Sequence, residues 1–326
     1  MHSFVNKPGD SIARSLAGMA ACYPNLLRVH FDPDFVQRAQ PGRAGKVAVI
    51  TGSGSGHEPL PTGYVGLGML DAACPGPIFT SPTPDQLLAA THAVEQGAGV
   101  VYIVKNYAGA VFNSEICAEE LGQEGIRSCK VLVNDDVAIP EIANRRGLGA
   151  APIVIRIAGA AAEEGRSLEQ VVDVAKRATQ NARSMGFATN IETLPRSLHA
   201  LPLGDHTVEL GVGIHGEPGV EKQVDGIEDI VERLMQPIVD DLPYRSGDRV
   251  LLMVSGLGGT PSLELFLFFQ HIHEFLQTQG IIVQRRLVGN YLTSLGRGGC
   301  TVTLLRLDEE LLNLWDSPVH TPTLHW

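Results

Sequence analysis

Two histidines lie in loops that are rich in glycine and end in Glu-Pro. His57 lies in GSGSGHEPL (residues 52–60), and His215 lies in GVGIHGEPG (residues 211–219). Imidazole titrates near neutral pH, so it can donate or accept a proton, and its neutral form can add to a carbonyl carbon. Glycine lets a small ligand approach the backbone closely. The pattern indicates a reacting or binding histidine in each loop.

Both histidines also have a structural interpretation. The ring of His57 could cap a helix after a turn, and His215 could lie in a tight turn that has no chemical role. Glu217, two residues after His215, is placed to orient its ring. From the loops alone, the chemical and the structural interpretations both stay open.

Three further groups of residues are weaker candidates. Lys105 ends a strand-like run and could reach the same crevice as His57, although a solvated lysine is the commoner case. Asp135 and Asp136 follow another such run and could bind a cation or a hydroxyl group, or could begin the next helix. His271 and His273 are two residues apart in a predicted helix, which places them on different faces. We therefore expect no metal site.

No loop of the chain has the signature of a nucleotide site. A Walker A loop needs GxxxxGK[ST], and neither TGSGSGHE nor SGLGGTPS contains the Lys-Ser/Thr ending. A dinucleotide fingerprint that began at Gly52 would require glycine where His57 stands. We therefore expect this chain to bind no nucleotide cofactor by itself.

The charge of the chain limits its partners. Its 326 residues have a formal net charge of −11, and the pI is near 5.4. A basic face is expected for binding to nucleic acid or to an anionic membrane, so neither is predicted as a direct partner. The start MHSFVNKPGD lacks a basic and an apolar region, and no apolar run is long enough to span a bilayer. We expect a cytoplasmic protein.

Strand-like and helix-like segments alternate along the chain, which favours an α/β fold. Short apolar runs predict strands at Lys46–Gly52, Gly99–Asn106, Lys130–Asp135, Arg249–Gly256, Ile281–Gly289 and Cys300–Leu307. Thr83 with Gln86, and Ser167 with Gln170, have the spacing of capping boxes. The second box opens a helix that Gly186 would close.

The segment from Thr189 to Asp205 lacks periodicity and contains two prolines, which is typical of a crossing between domains. The sequence thus predicts two α/β domains, residues 1–188 with the His57 loop and residues 189–326 with the His215 loop. Each is predicted to be a mainly parallel or mixed sheet flanked by helices.

The motifs together resemble the substrate-binding subunit of the dihydroxyacetone kinases, the DhaK type, nearly from end to end. The first half contains GSGSGHEP, KNYAG, NDDVA and RRG, and the second contains GVGIHGEPG, GLGGTP, TSL and the final LWDSPVHTPTLHW. These blocks occur in the order that they have in the family. The chain is therefore identified as a member of this family.

The resemblance implies a role for individual residues. It makes His215 the residue that forms a covalent hemiaminal with the ketone carbon of dihydroxyacetone, and His57 a proton-transfer and hydrogen-bonding residue. The substrate hydroxyl groups would be contacted by Gly54, Ser55, Gly56, Ser81 and Lys105.

The resemblance also implies partners. The family is usually homodimeric, and the phosphoryl group comes from a separate nucleotide-binding subunit or domain. That partner would bind ATP with Mg²⁺, or would carry ADP that a phosphotransferase relay recharges. The lack of a Walker A loop in this chain agrees with a nucleotide site on a separate subunit or domain.

One departure from the family pattern affects the predicted activity. The family motif KNYTGD ends in an aspartate thought to help deprotonate the attacking hydroxyl group, whereas this chain reads KNYAGA, with Ala110 in that place. Loss of a general base typically lowers a rate by about 10²–10⁴-fold. We therefore keep three hypotheses: a dihydroxyacetone kinase subunit, a ketone sensor that acts on a transcription regulator, and a kinase subunit for a longer ketose such as erythrulose.

Overall fold

A computed structural model of the chain describes residues 8–189, 207–224 and 226–326. Its strands are β1 (Leu27–His30), β2 (Phe35–Arg38), β3 (Ala48–Ser55), β4 (Ala72–Ile78), β5 (Val100–Lys105), β6 (Ser128–Val133), β7 (Ala182–Thr189), β8 (Thr207–Leu210), β9 (Val220–Gln223), β10 (Arg249–Gly256), β11 (Ile282–Gly289) and β12 (Gly299–Arg306). Its helices are α1 (Pro8–Cys22), α2 (Pro84–Val94), α3 (Ala108–Gln123), α4 (Ala150–Glu163), α5 (Leu168–Gln180), α6 (Ile227–Asp241), α7 (Ser262–Thr278) and α8 (Glu309–Asp316).

The described residues divide into two compact units. The His57 unit comprises residues 8–134, Ala151–Gln180 and Asp308–Trp326, and the His215 unit comprises Asp135–Ala150 and the described part of Asn181–Leu307. This division differs from the single predicted boundary at residues 188/189. Strand β7 lies in the second sheet because it pairs with β12 and β8, and α8 lies in the His57 unit.

The sheet of the His57 unit has the order β1-β2-β4-β3-β5-β6. Strands β4, β3, β5 and β6 run parallel, and β1 and β2 form an antiparallel edge. Strand β5 and the first residues of β3 consist largely of buried aliphatic residues, as expected for a sheet with helices against it. Helices α2, α3 and α5 pack on this sheet.

The sheet of the His215 unit has the order β11-β10-β12-β7-β8-β9. Strand β11 runs parallel to β10 and the other pairs are antiparallel, so the sheet is mixed. Helices α6 and α7 pack on it. The buried face of α7 consists of residues that recur at helical spacing: Leu265, Phe268, Ile272 and Leu276. The predicted fold class, two sheets each flanked by helices, is confirmed.

Both predicted capping boxes are present. The backbone N–H of Thr83 donates to Oε1 of Gln86 at 3.0 Å, and that of Ser167 donates to Oε1 of Gln170 at 2.9 Å. These bonds satisfy amide groups that a helix start leaves without an intrahelical partner. Spacing alone was therefore sufficient to place the first residues of α2 and α5.

The prediction that the second of these helices continues to Gly186 is wrong. Helix α5 ends at Gln180, and β7 begins two residues later, at Ala182. This strand lies between β12 and β8, and the Ser184 N–H donates to the Asp135 carbonyl at 2.8 Å, so pairing outweighs the local helix preference. Apart from Thr189, the predicted crossing lies outside the described residues. Over the described ranges, no helix has the length and apolar character needed to span a membrane.

Candidate functional site

The His57 loop follows β3. His57 is fully buried, and its ring stacks on that of Phe79 with 4.9 Å between the ring centroids. The carboxylate of Glu58 turns back on the loop and accepts the backbone N–H of Gly56 at 3.0 and 3.1 Å. Gly56 has a φ of 99°, which favours glycine. His57 is thus a packed histidine, and the carboxylate beside it in the sequence binds the backbone.

The first two glycines of this loop make room for the protein itself. A Cβ on Gly54 would lie 2.6 Å from the backbone nitrogen of Thr80, and one on Gly52 would lie 2.5 Å from Cγ of Pro82. The space beside both residues is therefore occupied by the segment that follows β4. Gly54 can offer a ligand only its backbone.

The other residues assigned to substrate hydroxyl groups lie at one edge of the same sheet. Ser55 ends β3, Ser81 follows β4 and Lys105 ends β5; these strands run parallel, so their carboxyl ends share an edge. The Ser55 hydroxyl donates to the Gly76 carbonyl at 2.7 Å. The Lys105 side chain is buried, with Nζ 5.5 Å from the centroid of the Tyr107 ring. Ligands of α/β proteins commonly bind at such an edge.

Ala110 lies in the first turn of α3, at this edge. It is half-buried and packs against the apolar core of the unit. It lines a crevice together with Gly52, Pro82 and Asn113, whose amide nitrogen donates to the Pro82 carbonyl at 2.7 Å. The crevice has a volume of about 10 Å³, roughly the space of one water molecule. The methyl group of Ala110 provides no proton acceptor there.

The His215 loop joins the antiparallel strands β8 and β9 in the other unit. Val212 and Ile214 are fully buried and fix the first half of the loop by packing. The His215 side chain keeps 18% of its surface exposed, in contrast to the fully buried His57. The structure therefore presents the His215 ring at the protein surface, on a loop with two apolar anchors.

Glu217 binds His215 through two groups. Its Oε2 accepts the backbone N–H of His215 at 2.8 Å, and its Oε1 lies 3.3 Å from Nδ1 of the ring. Burial opposes the charge of Glu217, but the hydrogen bonds from the ring and the backbone outweigh it and lower the pKa of Glu217 to about 2. Glu217 is thus a carboxylate at neutral pH, as the orienting role requires.

Two glycines of this loop have separate functions. A Cβ on Gly213 would overlap Oε2 of Glu217 and would lie 2.9 Å from Nη1 of Arg146, so the carboxylate occupies the space of the missing side chain. Gly216 has a φ of 89° and open space around its Cβ position, so its need for glycine comes from the backbone.

The nearness of the Glu217 carboxylate favours one tautomer of the His215 ring. At 3.3 Å, the carboxylate favours a proton on Nδ1, and this tautomer has its lone pair on Nε2. A neutral imidazole is a nucleophile for an electrophilic carbon through the ring nitrogen that carries no proton. The carboxylate also stabilises the positive charge that develops on the ring when Nε2 forms a bond.

A comparison with protein families identifies the chain. Residues 17–323 match the Dak1 domain. The chain belongs to the Dak1 family. The resemblance to the DhaK type of dihydroxyacetone kinase subunit is thereby confirmed.

Proteins similar to this Dak1 chain include a kinase subunit, a kinase and an operon co-activator. It is 38% identical to the protein of Escherichia coli K12 named PEP-dependent dihydroxyacetone kinase, dihydroxyacetone-binding subunit DhaK, over 100% of this chain and 99% of that one. It is 39% identical to a D-erythrulose kinase of Mycolicibacterium smegmatis, over 89% of this chain and 51% of that one. A solved structure named dihydroxyacetone kinase operon co-activator Dha-DhaQ superposes with a TM-score of 0.85, at 29% identity, over 95% of this chain and 96% of that one.

The paired aspartates of this Dak1 chain serve the structure of the His215 unit. Asp135 is buried, and its carboxylate accepts the N–H groups of Leu148 and Ala150 at 2.7 and 2.8 Å and the hydroxyl of Ser184. Burial raises the pKa of Asp135 despite these bonds. Asp136 forms an ion pair with Arg146. Both carboxylates are therefore engaged by protein groups.

The paired histidines of α7 also contact protein groups. Nδ1 of His271 lies 3.8 Å from Glu228, and the ring of His273 stacks on Phe269. Within the ranges described, no group of three or more His, Cys, Asp or Glu side chains could hold a metal ion.

Two residues that hold the His215 loop were not among the predicted site residues. Arg146 donates through Nη2 to the carbonyl of Gly211 at 2.7 Å, and the hydroxyl of Ser294 donates to the carbonyl of Ile214 at 2.7 Å. Both lie in blocks that the Dak1 resemblance includes, RRG and TSL. Their contacts with the loop span 65 and 80 residues of sequence, which no local pattern reveals.

Proposed function

We propose that this Dak1 chain binds dihydroxyacetone covalently at His215 and holds it for phosphorylation by a separate subunit. The observation that carries the proposal is the 3.3 Å separation between Nδ1 of the partly buried His215 ring and the Glu217 carboxylate. It orients the ring with Nε2 as the nucleophile. The relationship to the E. coli dihydroxyacetone-binding subunit supplies the substrate class.

The covalent step is an addition. The Nε2 lone pair forms a bond to the central carbonyl carbon, and the π electrons of the C=O bond move to its oxygen. The oxygen takes up a proton from water, and the proton on Nδ1 leaves to solvent, which gives a neutral hemiaminal. The Glu217 carboxylate stabilises the positive ring between these proton transfers.

This chemistry selects ketones. Glycerol has hydroxyl groups similar to those of dihydroxyacetone but no electrophilic carbon, so it cannot form the bond. Selectivity then depends on bond formation, which adds to the recognition of hydroxyl groups. The roles of Gly54, Ser55, Gly56, Ser81 and Lys105 in contacting those hydroxyl groups are part of the proposal.

Phosphoryl transfer requires groups that we assign by the family resemblance. The phosphoryl donor would be ATP or a recharged ADP, bound with Mg²⁺ to a partner subunit, and His57 would take the proton of the attacking hydroxyl group. A homodimer of this chain is part of the same proposal. Since Ala110 has no proton acceptor, we expect transfer to be slower than with an aspartate in that position, by about 10²–10⁴-fold.

A second candidate function is ketone sensing without phosphoryl transfer. Ala110 supports it, because the group expected to assist deprotonation is missing while the His215 loop is complete. The similarity to the co-activator structure supports it as well. The bound ketone would then alter the affinity of this chain for a transcription regulator.

A longer ketose such as erythrulose is a further candidate substrate. The relationship to a D-erythrulose kinase supports it. However, the crevice beside Ala110 has a volume of about 10 Å³, so the absent carboxylate adds little room. We therefore favour dihydroxyacetone.

The covalent step is tested by carbon NMR. The full chain is titrated with dihydroxyacetone labelled with ¹³C at the carbonyl carbon, and we expect a new signal in the region of carbons bonded to two heteroatoms. His215→Asn should lose this signal, His57→Asn should keep it, and labelled glycerol should give none. A wild-type chain that binds the ketone with an unchanged carbonyl signal would overturn the proposal.

The two functional candidates are separated by restoring the carboxylate. With a nucleotide-binding partner of the family, triose phosphate formation is followed for the wild type and Ala110→Asp. A measurable wild-type rate supports the kinase subunit. A wild-type rate at background together with an active Ala110→Asp variant supports the sensor.

A further inference from the structure

Arg146 reaches the His215 loop from a distant part of the sequence. Its Nη2 donates to the carbonyl of Gly211, the first residue of the loop, at 2.7 Å. Its Nη1 and Oε2 of Glu217 both lie within 3 Å of the position that a Cβ on Gly213 would occupy. The guanidinium group thus lies near the carboxylate of Glu217, while its ion-pair partner is Asp136. Its side chain is only 13% exposed, so water screens this charge weakly.

Asp136 holds Arg146 in this position. Nε and Nη2 of Arg146 both contact Oδ2 of Asp136, at 2.7 and 2.6 Å, and Asp136 is fully buried. The other carboxylate oxygen accepts the N–H of Ala138 at 3.0 Å. Asp136 is itself bridged to Ser184 in β7, so the pair is anchored in the second sheet.

Two consequences follow for the His215 ring. The bond from Arg146 to the Gly211 carbonyl fixes one end of the loop, while the buried Val212 and Ile214 fix its middle. The positive charge of Arg146 also lies near the Glu217 carboxylate, which it attracts. Without Arg146, the loop would lose its bond at Gly211 and Glu217 would lose a nearby positive charge.

We propose that Arg146, held by Asp136, is a positioning residue for His215 that keeps Glu217 against Nδ1 of the ring. This inference rests on the proposed function, because His215 is the residue proposed to react with the ketone. It assigns a role in the site to the second arginine of the RRG block and to the second aspartate of the NDD block. Neither residue is proposed to contact the ketone.

The adjacent Arg145 provides a matched control. It is also buried, and its guanidinium donates to Oδ2 of Asp241 at 2.8 Å and to the carbonyl of Ile139 at 2.9 Å. The two arginines are adjacent in the sequence. Replacement of either by methionine removes a guanidinium group from a buried ion pair. Both variants should be less stable than the wild type, and only Arg146→Met should alter the His215 ring.

The first measurement is the affinity for ¹³C-labelled dihydroxyacetone, taken from the hemiaminal signal of the full chain. We expect Arg146→Met to weaken it by about 10- to 100-fold, the range for loss of a hydrogen bond to a charged group. Arg145→Met should stay within about twofold of the wild type. Arg146→Lys should fall between them, because lysine keeps the charge but cannot bind two acceptors in a plane. Equal affinities in the wild type and Arg146→Met would overturn the inference.

The second measurement needs no ketone. The ¹⁵N shifts of the His215 ring report which nitrogen carries the proton, and we expect Nδ1–H in the wild type and Arg145→Met but a mixture of tautomers in Arg146→Met. If the wild type forms no hemiaminal, the proposed function fails, and these shifts still decide the inference. Where Arg146→Met does not fold, Arg146→Lys takes its place, and wild-type shifts and affinity in that variant would refute the positioning role.

Discussion

The two histidine loops share their glycines and their Glu-Pro ending, but the carboxylate binds different groups in them. In both loops, the glutamate accepts the backbone N–H of the residue two positions before it. In GHEP that residue is Gly56, so Glu58 binds the backbone and His57 packs on Phe79. In HGEP that residue is the histidine itself, so Glu217 reaches both its backbone and its ring.

One additional glycine therefore separates a packed histidine from an oriented one. Gly216 adopts a left-handed conformation and increases the spacing between histidine and glutamate by one residue. That shift moves the capped N–H from the residue before the histidine onto the histidine. The spacing of His and Glu therefore determines whether the backbone N–H that the glutamate accepts belongs to the histidine.

Deletion of Gly216 gives the second loop the spacing of the first, and we expect the largest effect from it. Glu217 would then cap the N–H of Ile214, and the His215 ring would lose its carboxylate. Loss of hydrogen bonds to a charged group costs up to about 3 kcal/mol, so we expect a loss of about 10²-fold in hemiaminal affinity, measured by carbon NMR with labelled dihydroxyacetone.

Gly216→Asn is the control for this deletion. Asparagine tolerates the left-handed conformation, and the Cβ position is open, so the loop keeps its length. This variant should stay close to the wild type. A deletion variant with wild-type affinity would show that the spacing does not matter.

A second test compares the glycines that precede the two histidines. A Cβ on Gly213 would displace the Glu217 carboxylate, so Gly213→Ala should weaken hemiaminal formation by about tenfold, as expected for loss of a charged hydrogen bond. A Cβ on Gly54 would press on Thr80, so Gly54→Ala should destabilise the fold by about 1–3 kcal/mol through overpacking. Urea unfolding and NMR titration of both variants check this, and the reverse pattern would contradict it.

The fold was predictable where the sequence pattern is local. The apolar runs of β3, β5 and β10 and the two capping boxes each occupy a few consecutive residues. Strand β4 was not predicted, because Pro75, Gly76 and Pro77 interrupt its pattern, yet it pairs with β3 as a parallel strand. The end of α5 was misjudged because pairing of β7 with distant strands decides it.

The site was predictable where one loop contains it. Glu217 and His215 are two residues apart, so the orienting carboxylate follows from the sequence. Arg146 and Ser294 act through contacts that only the folded chain creates, although their motifs were recognised. The packing of Phe79 on His57 and of Pro82 beside Gly52 likewise depends on how β4 and β3 pair. Sequence thus predicts contacts within one loop better than the distant contacts that hold the loop.

The smallest expected effect concerns stability and pH. Folding lowers the pKa of Glu217 from 4.5 to about 2, because bonds from His215 outweigh burial. A carboxyl group with a lowered pKa stabilises the fold above its unfolded value and loses that contribution as the pH falls through the folded value. Glu217→Gln removes this charge, so we expect it to lower the free energy of unfolding by about 1 kcal/mol at neutral pH.

The difference between the wild type and Glu217→Gln should shrink as the pH falls below 4.5 towards 2. Urea unfolding of both proteins at a series of pH values measures it. Glutamine keeps the shape of the side chain, so equal free energies of unfolding for the two proteins over this pH range would mean that shape holds the loop and the carboxylate charge does not. In that case the two histidine loops would differ in spacing but not in electrostatics, and the orientation of the His215 ring would depend on backbone geometry.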